Sequence, residues 1–201
     1  MSRKDGVTER MMGQDRFLTE EMRDVISGVE EGLGNDSISQ NIHFSTGVLN
    51  RLERQLILGC TLVTDTNLLI SMLDRSACGK LPVRLACYID DPFVVSVASQ
   101  RQVTRAEIAA EMALSQPGSK IFLVGSAPKA LDQVLLAQKR SPLVDVTVIA
   151  AASGFASAVA TKERLWESGI PCIVVRGKAG GPPAATAIAN AILRAAAARA
   201  K

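Results

Sequence analysis

The stretch IHFSTGVL, residues 42–49, holds the only histidine of a 201-residue chain that carries 23 lysines and arginines. An imidazole is the one ordinary side chain that gains and loses a proton near neutral pH, so His43 is the candidate general acid or base. Taken alone, it reads more readily as an ordinary helix residue. Other residues with chemical potential cluster where apolar runs end. VTDTN places Asp65 and Asn67 just past one run, and LVGSAP carries Gly125, Ser126 and Ala127 into a proline-started helix. AASGFASAVATK offers Gly154, Phe155 and Lys162, and VVRGKAGGPP sets Arg176 and Lys178 among Gly177, Gly180 and Gly181. A small-residue turn feeding a helix N-terminus is an anion site by geometry. Glycines beside cations let backbone and charge approach a ligand closely.

The elements that must position these groups are legible from the apolar pattern. CTLVTD, VRLACYID, KIFLVG, VDVTVIAA and IPCIVVRG are short aliphatic runs without alternation, as strands buried on both faces of a parallel sheet read. Helical segments lie between them. TRAEIAAEMALSQ opens with a capping box, Thr104 and Glu107. SAPKALDQVLLAQKR carries Pro128 in its first turn, ATKERLWESG stops at Gly169, and AATAIANAILRAAAARA is rich in alanine. Before the first strand, LTEEMRDVISGVEEGLG predicts a helix capped by Thr19 and ended by Gly34. A second helical stretch is predicted from about Asp36 towards Ile57, interrupted or bent near Thr46 and Gly47. The prediction is a single α/β domain with a mainly parallel sheet flanked by helices, residues 19–201, behind a loosely ordered segment 1–18.

Composition narrows the function. Hydrophobic residues make up 47% of the chain, enough for a sizeable core, yet aromatics are only 3%. A net charge of +3 with scattered cations argues against a nucleic-acid groove and leaves room for a small polyanion. Cys60, Cys78, Cys87 and Cys172 lie far apart, so neither a zinc site nor a disulfide framework is expected. With no signal peptide and no apolar run of membrane-spanning length, a cytoplasmic protein is expected. Neither the phosphate-binding loop, the dinucleotide fingerprint nor the nucleophile elbow of serine hydrolases is present. A hydrolase using His43 with a serine therefore ranks last.

Read together, and in order over residues 36–195, these segments resemble the precorrin-8X methylmutase (precorrin isomerase) family. VTDTNLL resembles its Asp-x-Asn strand end, ACYIDDP its Cys-Phe-Ile-Asp-Asp-Pro stretch, and TRAEIAAEM its Thr-Arg helix start. VGSAPKAL is similar to its Gly-Asn-Ala-Pro turn, and GFASAVATK…GIPCIVVRGKAGG to its glycine-rich second half. IHFSTG matches the segment that holds the family's catalytic histidine. The chain departs from the pattern at Ser126, Ala160, Pro182 and Pro183, and is shorter between His43 and Asp65.

The resemblance implies a homodimeric isomerase of cobalamin biosynthesis that needs no cofactor. Its ligand would be a corrinoid polycarboxylate, and its reaction the intramolecular 1,5-methyl shift from ring carbon 11 to ring carbon 12. His43 would be catalytic. Thr104, Arg105, Gly125, Ser126, Ala127, Gly154, Phe155, Lys162, Arg176 and Gly177 would bind substrate, and Asp65 and Asn67 would shape the pocket. The alternative is a tetrapyrrole carrier on the same fold that does no chemistry.

Overall fold

A computed structural model describes residues 18–34, 36–154 and 156–200. The expected loose segment 1–18 therefore lies, but for its last residue, outside the described residues, as do Asn35, Phe155 and Lys201.

Helix α1 (Glu20–Leu33) begins where the Thr19 hydroxyl accepts a hydrogen bond from the Met22 N–H, and ends at Gly34 in the left-handed conformation. A 3₁₀ turn (Ser39–Asn41) then leads into β1 (Ile42–Phe44) and α2 (Val48–Leu58). The helix predicted from Asp36 is thus corrected over its first half, where His43 lies on a strand, while its second half forms from Val48, past the predicted break at Gly47. Ser45 and Asn41 extend the ladder beyond the strand itself, since Ser45 N–H donates to Cys172 C=O and Arg176 N–H to Asn41 C=O. Pairing with a long-range partner overrides the local helical pattern.

The remaining strands are β2 (Cys60–Thr64), β3 (Val83–Ala86), β4 (Lys120–Val124), β5 (Val146–Ala150) and β6 (Cys172–Val175), all five at predicted positions. They form one sheet in the order β1-β6-β5-β4-β2-β3. Only β1 runs antiparallel to its neighbour, β6. Helices α3 (Asn67–Met72) and α4 (Arg75–Cys78) follow β2, and α5 (Pro92–Arg101) and α6 (Arg105–Ser115) follow β3. Helices α7 (Pro128–Arg140), α8 (Ala156–Glu167) and α9 (Pro182–Arg199) each follow one of the next three strands.

Successive residues of each strand serve opposite layers. Ile121, Leu123 and Ile149 pack under α1, α2 and α9, while Phe122, Val124 and Val148 pack under α6, α7 and α8. The result is a three-layer α/β/α domain. The chain moves outward from β2 to β3, then returns to lay β4, β5 and β6 on the other side of β2. The order reverses between β2 and β4, and in open α/β sheets ligands settle in the crevice outside the strand ends at such a reversal.

Candidate active site at the strand ends

The predicted site residues fall into two groups. The first lies where the strand order reverses. Asp65, past the end of β2, is buried, and its Oδ2 accepts hydrogen bonds from Ser126 N–H (2.7 Å) and Ala127 N–H (2.6 Å). The anion site at the start of α7 is therefore filled by the chain's own carboxylate. The Ser126 and Ala127 N–H groups, expected to face a ligand, here hold Asp65. Burial pushes the Asp65 carboxyl above its ordinary range, against the N–H groups of Ala127, Ser126 and Gly125, which favour the anion. Gly125 is tightly packed: a Cβ there would meet the Pro182 Cα at 3.0 Å.

Beside this bridge stand two helix N-termini. Asn67, the first residue of α3, donates to Asp90 (2.8 Å), and Arg105, the first residue of α6, makes an exposed ion pair with the same carboxylate (3.3 Å). Asp90 thus joins the two predicted residues. It lies within the ACYIDDP stretch, where nothing in the sequence sets it apart from its neighbour Asp91. Thr104 caps α6, its hydroxyl committed to Glu107 in the predicted capping box. Leu68 and Phe93 project into solvent next to these polar groups in the chain.

The second group lies at the other edge. His43 on β1 pairs with Val174 and is half-buried. Its ring meets the Trp166 ring edge-on, with centroids 5.7 Å apart. A cavity of about 280 Å³ wraps round this edge, lined by Met22 and Ile26 of α1, Gln40, His43, Phe44 and Trp166. Arg176 lies over the Trp166 ring, its guanidinium carbon 5.8 Å from the centroid, and grips Glu163 through Nε (3.0 Å to each carboxylate oxygen) and Nη2. Burial, then the Arg176 charge, hold the His43 pKa below 6.5, and Glu163 works in the opposite direction. The sequence expectations include neither Trp166 nor Glu163. The two stand three apart on α8 and so share a face, and that spacing is the one signal of them in the residue pattern.

Lys162 is fully buried on α8, and its Nζ donates to the Ala179 carbonyl (3.1 Å) in the loop after β6. Gly177 and Gly154 take positive φ in their turns, at 73° and 110°. Phe155 lies outside the described residues. The two groups do not meet. Four strand spacings separate β1 from β2, roughly 19 Å at the usual interstrand distance.

Burial pushes the Lys162 amine down from 10.5 to about 8. The unfolded chain then binds more protons than the folded one between those values, so stability rises with pH across that window. Below about pH 8 the full cost of holding the charge inside is present, on the order of 3 kcal/mol. Lys162→Met removes that cost and one hydrogen bond, so at pH 7 it is expected to stabilise the fold by about 1–2 kcal/mol. The gain should vanish as pH approaches 10.5, as urea unfolding along a pH series would show. A loss of stability at pH 7 would mean that the Nζ–Ala179 bond outweighs the buried charge.

Comparison with known proteins bears on the whole chain. The family model for precorrin-8X methylmutase matches residues 6–195. A cobalt-precorrin-8 methylmutase of Salmonella typhimurium is 32% identical over 151 residues, covering 75% of this chain and 70% of the relative. One from Methanothermobacter thermautotrophicus is 30% identical over 169 residues, 84% of this chain and 78% of its own. A solved structure of a "precorrin-8X methylmutase related protein" superposes with a TM-score of 0.82 at 25% identity, over 89% of this chain and 93% of the other. A fold alone can serve unrelated activities, but sequence and structure here agree along nearly the full length. The chain belongs to the precorrin-8X methylmutase family and is an isomerase of cobalamin biosynthesis.

Proposed function

We propose that His43 supplies the proton for the intramolecular methyl shift of precorrin-8X or its cobalt form, within a homodimer working in the cytoplasm. The supporting observation is the place of the chain's single imidazole, on the wall of the cavity of about 280 Å³ and against Trp166. Burial and Arg176 favour neutral imidazole at His43. A polycarboxylate ligand brings negative charge to the ring and raises its pKa, so the proton is taken up as the ligand binds. Protonation draws electron density from the conjugated macrocycle and lowers the barrier to migration. One carbon–carbon bond breaks and another forms, nothing is oxidised or reduced, and the borrowed proton returns to solvent.

In this reading the acidic arms run along the strand ends towards Arg105 and Asn67, and the exposed apolar Leu68 and Phe93 face the ring or the second subunit. A second reading is a tetrapyrrole carrier on the same fold, favoured by the shortened span between His43 and Asp65. In either reading the ligand competes with partners within the chain, since Arg105 holds Asp90, Arg176 holds Glu163, and the Ser126 and Ala127 N–H groups hold Asp65.

Incubation of the purified protein with precorrin-8X and with cobalt-precorrin-8, followed by absorbance, separates the two. Conversion of either supports the mutase. Tight binding without conversion leaves the carrier, and absence of both removes each reading. The mass of the particle in solution tests the dimer.

A further inference from the structure

Deepening the reading of His43 as the proton donor, on which this step rests, we propose that Trp166, Arg176 and Glu163 form one positioning unit for the imidazole. Trp166 fixes the ring plane, and the Arg176–Glu163 pair behind it sets the charge that the ring faces.

The geometry is a column. The His43 ring meets Trp166 edge-on at 5.7 Å, Arg176 sits over the same indole at 5.8 Å, and Glu163 holds the guanidinium through two of its nitrogens. Edge-on aromatic contact and a guanidinium over an indole face are both directional, so each member restricts the next. The backbone reinforces the order. Arg176 N–H donates to Asn41 C=O at one end of the β1–β6 ladder, and His43 pairs with Val174 two residues before Arg176. Arg176 is therefore tied to the strand that carries the histidine by main chain as well as by side chain. Its Nε and Nη2 are occupied by Glu163, so its charge is already paired within the chain.

Charged groups act on His43 from two of the elements packed around it. Arg176 comes from the end of β6, and Glu163 from α8, where Lys162 acts on Glu163 and Glu167 on Arg176. On the α1 side the cavity is lined by Leu18, Met22 and Ile26, and Glu30 of α1 accepts a hydrogen bond from Ser39 of the 3₁₀ turn. Opposite charges on the two members of the pair give the unit a signature that simple packing lacks. Loss of Glu163 leaves an uncompensated cation near the ring, whereas loss of Arg176 leaves an uncompensated anion.

Because the chain has one histidine, its imidazole resonances in a proton–carbon NMR spectrum need no assignment, and their titration needs no substrate. Glu163→Gln is expected to move the His43 midpoint down and Arg176→Met to move it up. Each shift should be on the order of half a pH unit, as for one charge about 10 Å away in a partly screened site. Arg176→Lys keeps the charge without the planar fork, and should stay on the wild-type side of Arg176→Met. Trp166→Leu should let the ring reorient, seen as loss of its contacts to residue 166 and a midpoint closer to 6.5. Both charge variants shifting in one direction, or neither shifting, would overturn the proposal. Each altered side chain of the pair is partly exposed, and Glu163→Gln, whose His43 midpoint must fall, decides the matter should Arg176→Met not fold. The outcome is separable from the catalytic reading. Opposite shifts in a protein without turnover would keep the positioning unit and remove the acid, whereas turnover without opposite shifts would do the reverse.

Discussion

His43→Ala is expected to lower turnover by about 10²–10⁴-fold while ligand binding persists, the range that loss of a positioned proton donor usually brings. The side chain is half-buried in the middle of a three-residue strand whose ladder bonds are main-chain, so the fold should survive its removal. The pH profile supplies the sign. If imidazolium is the active form, kcat/KM follows the free protein and falls with rising pH through a midpoint below 6.5, since burial and Arg176 favour the neutral ring. The profile of kcat reports the bound state, where the ligand's carboxylates face the ring, and its midpoint should lie higher. Proton uptake on binding, read as a pH rise in weak buffer, should accompany the wild type and be absent in His43→Ala. Turnover within a few-fold of wild type in the variant would exclude His43 as the acid and leave the proton to be supplied by another group.

Much of this architecture is readable from residue pattern, for identifiable reasons. Strands buried on both faces are continuous aliphatic runs, and each of the five parallel strands appears as such in the chain. Capping chemistry is equally local: Thr19, Thr104 and Pro128 stand where their helices begin. What stays hidden depends on partners far along the chain. Strand β1 has three residues and exists because β6 offers its edge, so nothing within residues 36–57 announces it. The turn Gly125–Ala127 has the form of an anion site, and it is one, but its anion is Asp65, sixty-odd residues earlier. Arg176 and Arg105 read as free cations because their carboxylates, Glu163 and Asp90, reach them only through the fold. Trp166 is the single tryptophan in an aromatic-poor chain, and its meaning emerges only when β1 brings His43 to it.

Gly180→Ala is expected to be the most damaging single-methyl change in this region, costing about 4 kcal/mol, a large share of the stability of an ordinary domain. The sequence suggests that the glycines of VVRGKAGG let backbone come close to a ligand. Close approach is indeed what Gly180 provides, but to the chain itself. A Cβ at this position would lie 2.0 Å from the Ala151 carbonyl oxygen, at a φ of +135° that other residues rarely adopt. The obstacle is backbone at the buried end of β5, so no rotamer change can relieve it. The same carbonyl accepts the Gly181 N–H at 2.5 Å, and Gly181 caps α9, whose face of Ala184, Ala185, Ile188, Leu193 and others is fully or nearly fully buried on the sheet. Displacing residue 180 therefore breaks the tie between β5 and the start of the helix that covers the sheet. It also disturbs Ala179, the acceptor for buried Lys162. Gly177→Ala is the control. It too has a positive φ, 73°, but nothing within 4 Å of the added methyl, so only backbone strain of about 1–2 kcal/mol is expected. Urea midpoints of the two variants should differ several-fold in their displacement from wild type. Equal displacements would mean that the β5 end yields to the methyl, and that the contact at Gly180 is not what fixes the loop beside the site.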